Sequence, residues 1–219
     1  MQSFIKRCST FIRIRKPIPE NVTPHCFKDP LDLVIENTAK KDGPLTQSDF
    51  NKVIVAAQIQ DGIERYRMSV QQRTSEELIK EDHNSKLLSL HLVESYGPRP
   101  PRCHAHAIVS GRHKLAAPAR LVMAKLKIGV DDTDNDCWLP ENTAATPHPS
   151  FPKAPPHSRI HRSNYYWWIN SRLAPTIPIM QQALFRKNLN IISRMLHTSE
   201  FPDYVMLRKG HGLPKGPTK

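Results

Sequence analysis

Histidines at spacings that suit metal coordination are the most informative feature of this sequence. His104 and His106 lie two residues apart in a predicted strand. His157 and His161 lie four residues apart at the start of a predicted helix. Residues i and i+2 share one face of a strand, and residues i and i+4 share one face of a helix. We therefore predict one divalent metal ion, held by His106, His157 and His161.

The residue types narrow the choice of metal and chemistry. Neutral imidazoles suit Zn²⁺, Ni²⁺ or Mn²⁺, whereas Mg²⁺ usually prefers oxygen ligands. Such an ion polarises a phosphate and stabilises the leaving oxygen, while a separate histidine deprotonates the attacking water. We expect Asn135 to orient that histidine through a side-chain hydrogen bond.

The balance of charge indicates a polyanionic partner. The 219 residues include 32 Lys and Arg against 20 Asp and Glu, which gives a formal net charge of +12. Neutralised phosphates release condensed counterions, so a basic chain of this kind favours nucleic acid. The arginines that we expect to grip phosphates lie in the second half of the chain, at Arg112, Arg159, Arg162 and Arg172.

Short elements must position these residues, and their patterns predict an α+β fold. Strands are expected over 103–109 and 137–139, and a helix is expected over 157–173. Hydrophobic spacing and capping residues predict further helices over 47–70, 75–92, 114–127 and 178–196.

Composition divides the chain into four predicted parts. Three prolines in the segment Tyr96–Arg102 exclude a helix there and set the central boundary. The parts are an extended basic arm (1–31), a helical N-terminal region (32–97), a domain that contains the spaced histidines (98–199) and a basic disordered tail (200–219).

Together, the ordered motifs resemble the AHH nucleases of the His-Asn-His/endonuclease VII superfamily, over roughly residues 103–172. The resemblance implies a ββα-metal (His-Me finger) core in the C-terminal half, with a mostly helical N-terminal extension. The motifs that carry it are Ala105-His106-Ala107-Ile108-Val109, Ala119-Arg120, Asn135 to Pro140, and His157 to His161 followed by Tyr165-Tyr166.

This resemblance implies a metal-dependent endonuclease that cleaves DNA or RNA with little sequence specificity. Members of the family are common as toxins and effectors in bacterial competition. The implied partners are a nucleic-acid substrate, an immunity protein and a secretion adaptor.

One departure from the family pattern concerns the general base. The family has Ala-His-His where this chain has Ala105-His106-Ala107, so His106 takes the ligand position and the second histidine is missing. His104 on the same strand face is one replacement, as ligand or base. His106 itself is another, with His157 and His161 then holding the metal, and His113 is a third. A degenerate, inactive domain is the remaining reading.

A different class of function fits the same composition. A non-catalytic nucleic-acid-binding protein, such as an organellar ribonucleoprotein component, would also be basic and would not need the second histidine. The first residues show no Sec signal peptide and no apolar run long enough for a membrane span. We expect a bacterial cytoplasmic location or secretion without a Sec signal, with a mitochondrial presequence as the alternative.

Overall fold

The structure, a computed structural model, describes residues 30–96, 98–174 and 181–214. It has the α+β composition predicted from the sequence. Almost all of the predicted arm at 1–31 lies outside the described residues, as do the last five residues of the predicted tail. The elements are α1 (Pro30–Ala39), α2 (Gln47–Gln72), α3 (Ser75–Ile79), α4 (Ser85–Tyr96), β1 (Cys103–Ala107), α5 (Ala117–Lys125), β2 (Asp136–Pro140), α6 (His157–Ile160), α7 (Ser163–Leu173) and α8 (Gln182–Thr198).

Strands β1 and β2 form a two-stranded antiparallel sheet, in agreement with the two predicted strands. His106 lies opposite Cys137, and Ala107 lies opposite Asp136. Helix α4 packs on one face of the sheet, where Leu92 contacts Trp138. The other face closes the main core, which is built from apolar side chains of α5, α7 and α8. The sheet therefore lies between a helix from the N-terminal half and the helices that follow it.

Helix α2 begins where the capping residues predict. The Thr46 hydroxyl accepts from the Asp49 amide, and the Asp49 carboxylate accepts from the Thr46 amide, which completes a capping box. Apolar spacing predicts one buried face formed by Phe50, Val53, Ile54, Ala57, Ile63 and Met68. This prediction is only partly correct, because Phe50, Ile54 and Met68 are exposed. The buried apolar line runs instead through Ala56, Ile63 and Val70, at seven-residue spacing.

The helix predicted over 75–92 is interrupted between α3 and α4. Residues 80–84 are not helical because their polar groups bind the loop at 130–131, which is distant in the sequence. The Glu81 carboxylate accepts from the Val130 amide, and Asp131 accepts from the Asn84 amide. The Asn84 side chain then caps α4 by accepting from the Lys86 and Leu87 amides.

The helix predicted over 157–173 is also interrupted. His161 leaves the helical conformation with φ −70° and ψ 60°, and Arg162 is extended. The Arg162 guanidinium donates to the Met206 carbonyl oxygen. This break separates α6, which carries His157, from α7, which packs in the core.

The predicted disordered tail differs from the structure over much of its length. Val205 is fully buried in the main core. The Asn164 amide donates to the carbonyl oxygens of Tyr204, Arg208 and His211. One buried side chain from α7 thus folds this basic segment back onto the domain. No helix among the described residues has the length and apolar composition that crossing a membrane requires.

Candidate metal centre

Strand β1 directs two histidines to one side of the sheet. The ring centroid of His106 lies 5.4 Å from that of His157 and 4.9 Å from that of His161. The His104 ring lies 5.5 Å from the His157 ring. His104 and His106 therefore face the same cluster, as alternation along a strand requires.

The interrupted helix supplies the other two imidazoles. His157 begins α6, and His161 follows its last residue, so they lie about one turn apart. Their Nε2 atoms are 3.3 Å from each other. One ligand atom each from His106, His157 and His161 lies within 4.8 Å of the other two. The structure thus brings together the three histidines predicted as ligands, and their role as ligands remains a proposal.

Tyr165 fixes the protonation pattern of His106. The Tyr165 hydroxyl donates its single proton to the Ile108 carbonyl oxygen at 2.8 Å. It must then accept from Nε2 of His106, 2.9 Å away. In the neutral ring this leaves Nδ1 of His106 unprotonated. That atom is buried and has no hydrogen-bond partner among the described residues.

Partial burial favours the neutral form of the clustered imidazoles. Desolvation, together with positive charge on His161 and His104, lowers the pKa of His157 to about 4. Desolvation also lowers the pKa of His106 well below its usual value and that of His161 below 6.5. Metals bind the unprotonated ring nitrogen, so these shifts favour coordination at neutral pH.

These features fit a divalent cation. A buried lone pair without a partner costs free energy that a metal bond would remove. Ring nitrogens bound to one tetrahedral ion lie about 3.4 Å apart, given Zn–N bonds of roughly 2.0 to 2.1 Å. The His157–His161 pair already has about that separation, and a ligand atom of His106 lies within 4.8 Å of both.

The expectation that Asn135 orients a histidine base differs from the structure. Its Oδ1 accepts from the Val109 amide at 2.8 Å, and its Nδ2 donates to the carbonyl oxygens of Val109 and Val130. These partners use both amide hydrogens and one lone pair of Oδ1. Asn135 therefore ties the segment after β1 to the loop before β2.

The four predicted phosphate-binding arginines have different surroundings. Arg159 is exposed on α6, two residues after His157. Arg112 is exposed and pairs with Asp82. The other two have contacts of their own within the domain: Arg162 bonds the Met206 carbonyl oxygen, and Arg172 lies over the Trp168 ring and bonds Met195.

An open cleft of about 680 Å³ lies beside the cluster and contains residues that the sequence pattern did not indicate. His157, His161 and Ala107 line it together with His83 from the loop before α4. No local motif marks His83, because its partner Asp131 is far away in the sequence. Two basic side chains also line this cleft, Lys86 and Arg99.

Comparison with known proteins defines the class to which this site belongs. Residues 88–195, from α4 through most of α8, match the model of a nuclease family of the HNH/ENDO VII superfamily with conserved AHH. That region contains β1, β2 and all three clustered histidines, so the class is a nuclease of this superfamily. Within it, residues 88–195 of the chain belong to the AHH family. No curated protein and no solved structure gives a significant match.

Proposed function

We propose that this protein is a metal-dependent endonuclease that hydrolyses phosphodiester bonds of DNA, or of RNA, with His106, His157 and His161 holding one divalent ion. The observation that carries the proposal is the unpartnered, unprotonated Nδ1 of His106 beside two further imidazoles. Family membership supports phosphodiester chemistry at this position.

We further propose that β1, β2 and the α6–α7 segment form a ββα-metal unit. Support comes from the pairing of the strands and from the position of His157 at the start of α6. Asn135 stabilises the connection between the strands with its three backbone hydrogen bonds.

The residues of the chain have separable tasks in this reaction. The three histidines hold the ion, which when bound would polarise the phosphoryl oxygens and stabilise the departing alkoxide. Tyr165 keeps Nε2 of His106 protonated and so directs Nδ1 towards the ion. Lys86 and Arg99 attract phosphates into the cleft. Contacts of this kind read the backbone rather than the bases, so we expect little sequence specificity.

A plasmid-nicking assay on the full chain tests the proposal. Supercoiled DNA is incubated with Mg²⁺, Mn²⁺, Ni²⁺ or Zn²⁺ and wild type, His106→Ala, His157→Ala or the control His211→Ala. His211 is exposed in the C-terminal segment. We expect cleavage by wild type and the control, and loss of cleavage in the two cluster variants. Intact plasmid with wild type under every metal, together with intact RNA, would refute an active nuclease.

The biological role that we propose is that of a toxin or effector neutralised by an immunity protein, supported by resemblance to family members with that role. Induced synthesis of the chain inside bacteria should arrest growth, and His157→Ala should relieve the arrest. Normal growth with the wild-type chain at equal protein levels would count against a toxin.

A non-catalytic nucleic-acid-binding protein is the second candidate, favoured by one observation. Ala107 stands where the family motif has its second histidine. This candidate predicts retained DNA binding without cleavage, so a mobility-shift assay beside the nicking assay separates the two functions.

A further inference from the structure

We propose that His83, held by Asp131, is the general base that replaces the histidine missing at Ala107. This inference rests on the proposed nuclease function and extends it to a residue upstream of the region matched by the family. His83 lies in the loop between α3 and α4.

The position of His83 suits this role. It lines the same cleft as Ala107, His157 and His161. Its Cβ also lies over the turn that follows β1, since a Cβ built at Gly111 would come within 2.7 Å of it. Any larger residue at 111 would push the two segments apart. The close approach at Gly111 thus holds the loop that carries His83 against the turn that follows β1, and His83 lines the cleft.

Asp131 sets the chemical state of His83. Nδ1 of His83 lies 2.5 Å from Oδ1 of Asp131, whose side chain is only 3% exposed. The other carboxylate oxygen accepts from the Asn84 amide at 2.8 Å, so the carboxylate is fixed. An acceptor at Nδ1 places the proton of the neutral ring there and leaves the Nε2 lone pair free. A histidine held in this way by a buried carboxylate is poised to take a proton.

The other candidate bases are less suited. Nδ1 of His113 accepts from the Leu115 amide, so the second nitrogen of its neutral ring carries the proton. The ring is also stacked on Tyr166, with 4.0 Å between centroids. His104 is 48% exposed, and its nearest carboxylate oxygen, on Glu141, is 3.9 Å away. Neither imidazole combines a short contact to a buried carboxylate at one nitrogen with a free lone pair on the other, as His83 does.

The proposed step balances as a hydrolysis. A water oxygen forms a bond to phosphorus while one of its protons passes to Nε2 of His83. The bridging phosphorus–oxygen bond breaks, and the departing alkoxide takes a proton from solvent. His83 then returns its proton to solvent.

The test compares variants of the full chain in the nicking assay, with calorimetric metal titration as a second readout. His83→Gln keeps a donor for Asp131 but removes the base, and His83→Ala opens space for added imidazole. We expect both to cleave about 10²- to 10⁴-fold more slowly than wild type, with metal affinity within about twofold. Imidazole should partly rescue His83→Ala, and Ala107→His should restore cleavage in the His83→Gln background.

The controls separate this proposal from the proposed function. His211→Ala and Asp42→Asn change exposed groups and should cleave like wild type, whereas Asp131→Asn should be slow. An active wild type with an equally active His83→Gln overturns the base assignment and leaves the nuclease intact. Slow cleavage without rescue by either imidazole or Ala107→His also overturns it. Inactive wild type refutes both proposals.

Discussion

At the level of single side chains, Tyr165 sets the protonation pattern of His106. Its hydroxyl stands between His106 Nε2 and the Ile108 carbonyl oxygen, so it is at once acceptor and donor. Groups that orient a metal ligand in this way commonly contribute 10- to 100-fold to metal affinity. The effect of Tyr165 is therefore measurable apart from catalysis.

We predict that Tyr165→Phe lowers the affinity for Zn²⁺ or Mn²⁺ by about 10- to 100-fold, because His106 loses the partner that fixes its proton and ring. Isothermal titration calorimetry at neutral pH measures this change. Tyr204→Phe is the matched control, since that ring packs edge-on against Trp167. An unchanged metal affinity in Tyr165→Phe would contradict the proposal that His106 binds the ion through Nδ1 while Tyr165 holds its Nε2 proton.

Asp136 is a second residue with an unusual environment. Both carboxylate oxygens are buried without a hydrogen-bond partner among the described residues. Burial raises the pKa of Asp136 well above its usual value, and the charges of Asp131 and Asp132 raise it further. The native state therefore binds this proton more tightly than the unfolded chain does. Asp136 accordingly costs stability progressively as the pH rises above the ordinary range of an aspartate.

We predict that Asp136→Asn matches wild type in stability near pH 4 and exceeds it by about 1 to 3 kcal/mol near pH 8. Urea unfolding in the presence of a chelator measures the difference in the free energy of unfolding between the two proteins. The histidines are common to both proteins, so their contribution to the pH dependence drops out of this difference. Asp42→Asn changes an exposed carboxylate and should run parallel to wild type. A parallel profile for Asp136→Asn would show that Asp136 is ionised in the fold.

The sequence predicts some of these side-chain arrangements and not others. The spacing of His157 and His161, together with strand alternation at His106, is local information, and the structure brings these residues together. The partner of His83 lies 48 residues away, so no pattern along the chain shows it. The Asn135 side-chain amide likewise binds the backbone of Val109, 26 residues away. No pattern along the chain shows this partner, so the sequence led to the different expectation that Asn135 holds a histidine.

At the level of elements, the local sequence predicts the bounds of the strands better than it predicts the bounds of the long helices. Apolar residues and flanking turns predict β1 and β2 to within two residues at each end. The interruption before α4 depends on Glu81 and Asn84 binding the loop at 130–131. Helical propensity in the segment is overridden by these tertiary hydrogen bonds, so the predicted helix 75–92 becomes two.

The connection between β1 and β2 depends on Asn135. We predict that Asn135→Ala lowers the free energy of unfolding by about 2 to 4 kcal/mol, because it leaves several buried backbone groups unpaired. Chemical denaturation measures this loss. Asn142→Ala is the control, since the Asn142 side chain is exposed and bonds the neighbouring Glu141 side chain. A loss no larger than the control's would show that water replaces the amide.

At the level of the whole molecule, a cluster of charged residues joins the two halves of the chain. Asp132 lies between Arg67 of α2 and Arg186 of α8, and both arginines also bond Asp134. Burial would raise the pKa of Asp132, but hydrogen bonds and charge from Arg186 and Arg67 hold it below its usual value. The carboxylate thus stays ionised inside the protein, and its two partners belong to distant helices.

We predict that Arg186→Met destabilises the protein by about 3 to 5 kcal/mol, since it leaves a buried carboxylate with one partly exposed partner. Thermal and urea unfolding measure the loss. Arg65→Met removes an exposed pair with Asp61 and should change stability by less than about 1 kcal/mol. Equal effects of the two substitutions would mean that the cluster contributes little to joining the halves.

The approach of His83 to the turn at Gly111 has a consequence for how selection acts on this family. With His83 as base, the histidine that acts as base can stand at position 83 or at position 107. A lineage can therefore lose either histidine while it keeps the other. Substitutions at the two positions should then be correlated among relatives. A survey confined to the matched region 88–195 would count a chain like this one as degenerate, because the compensating residue lies just upstream of it.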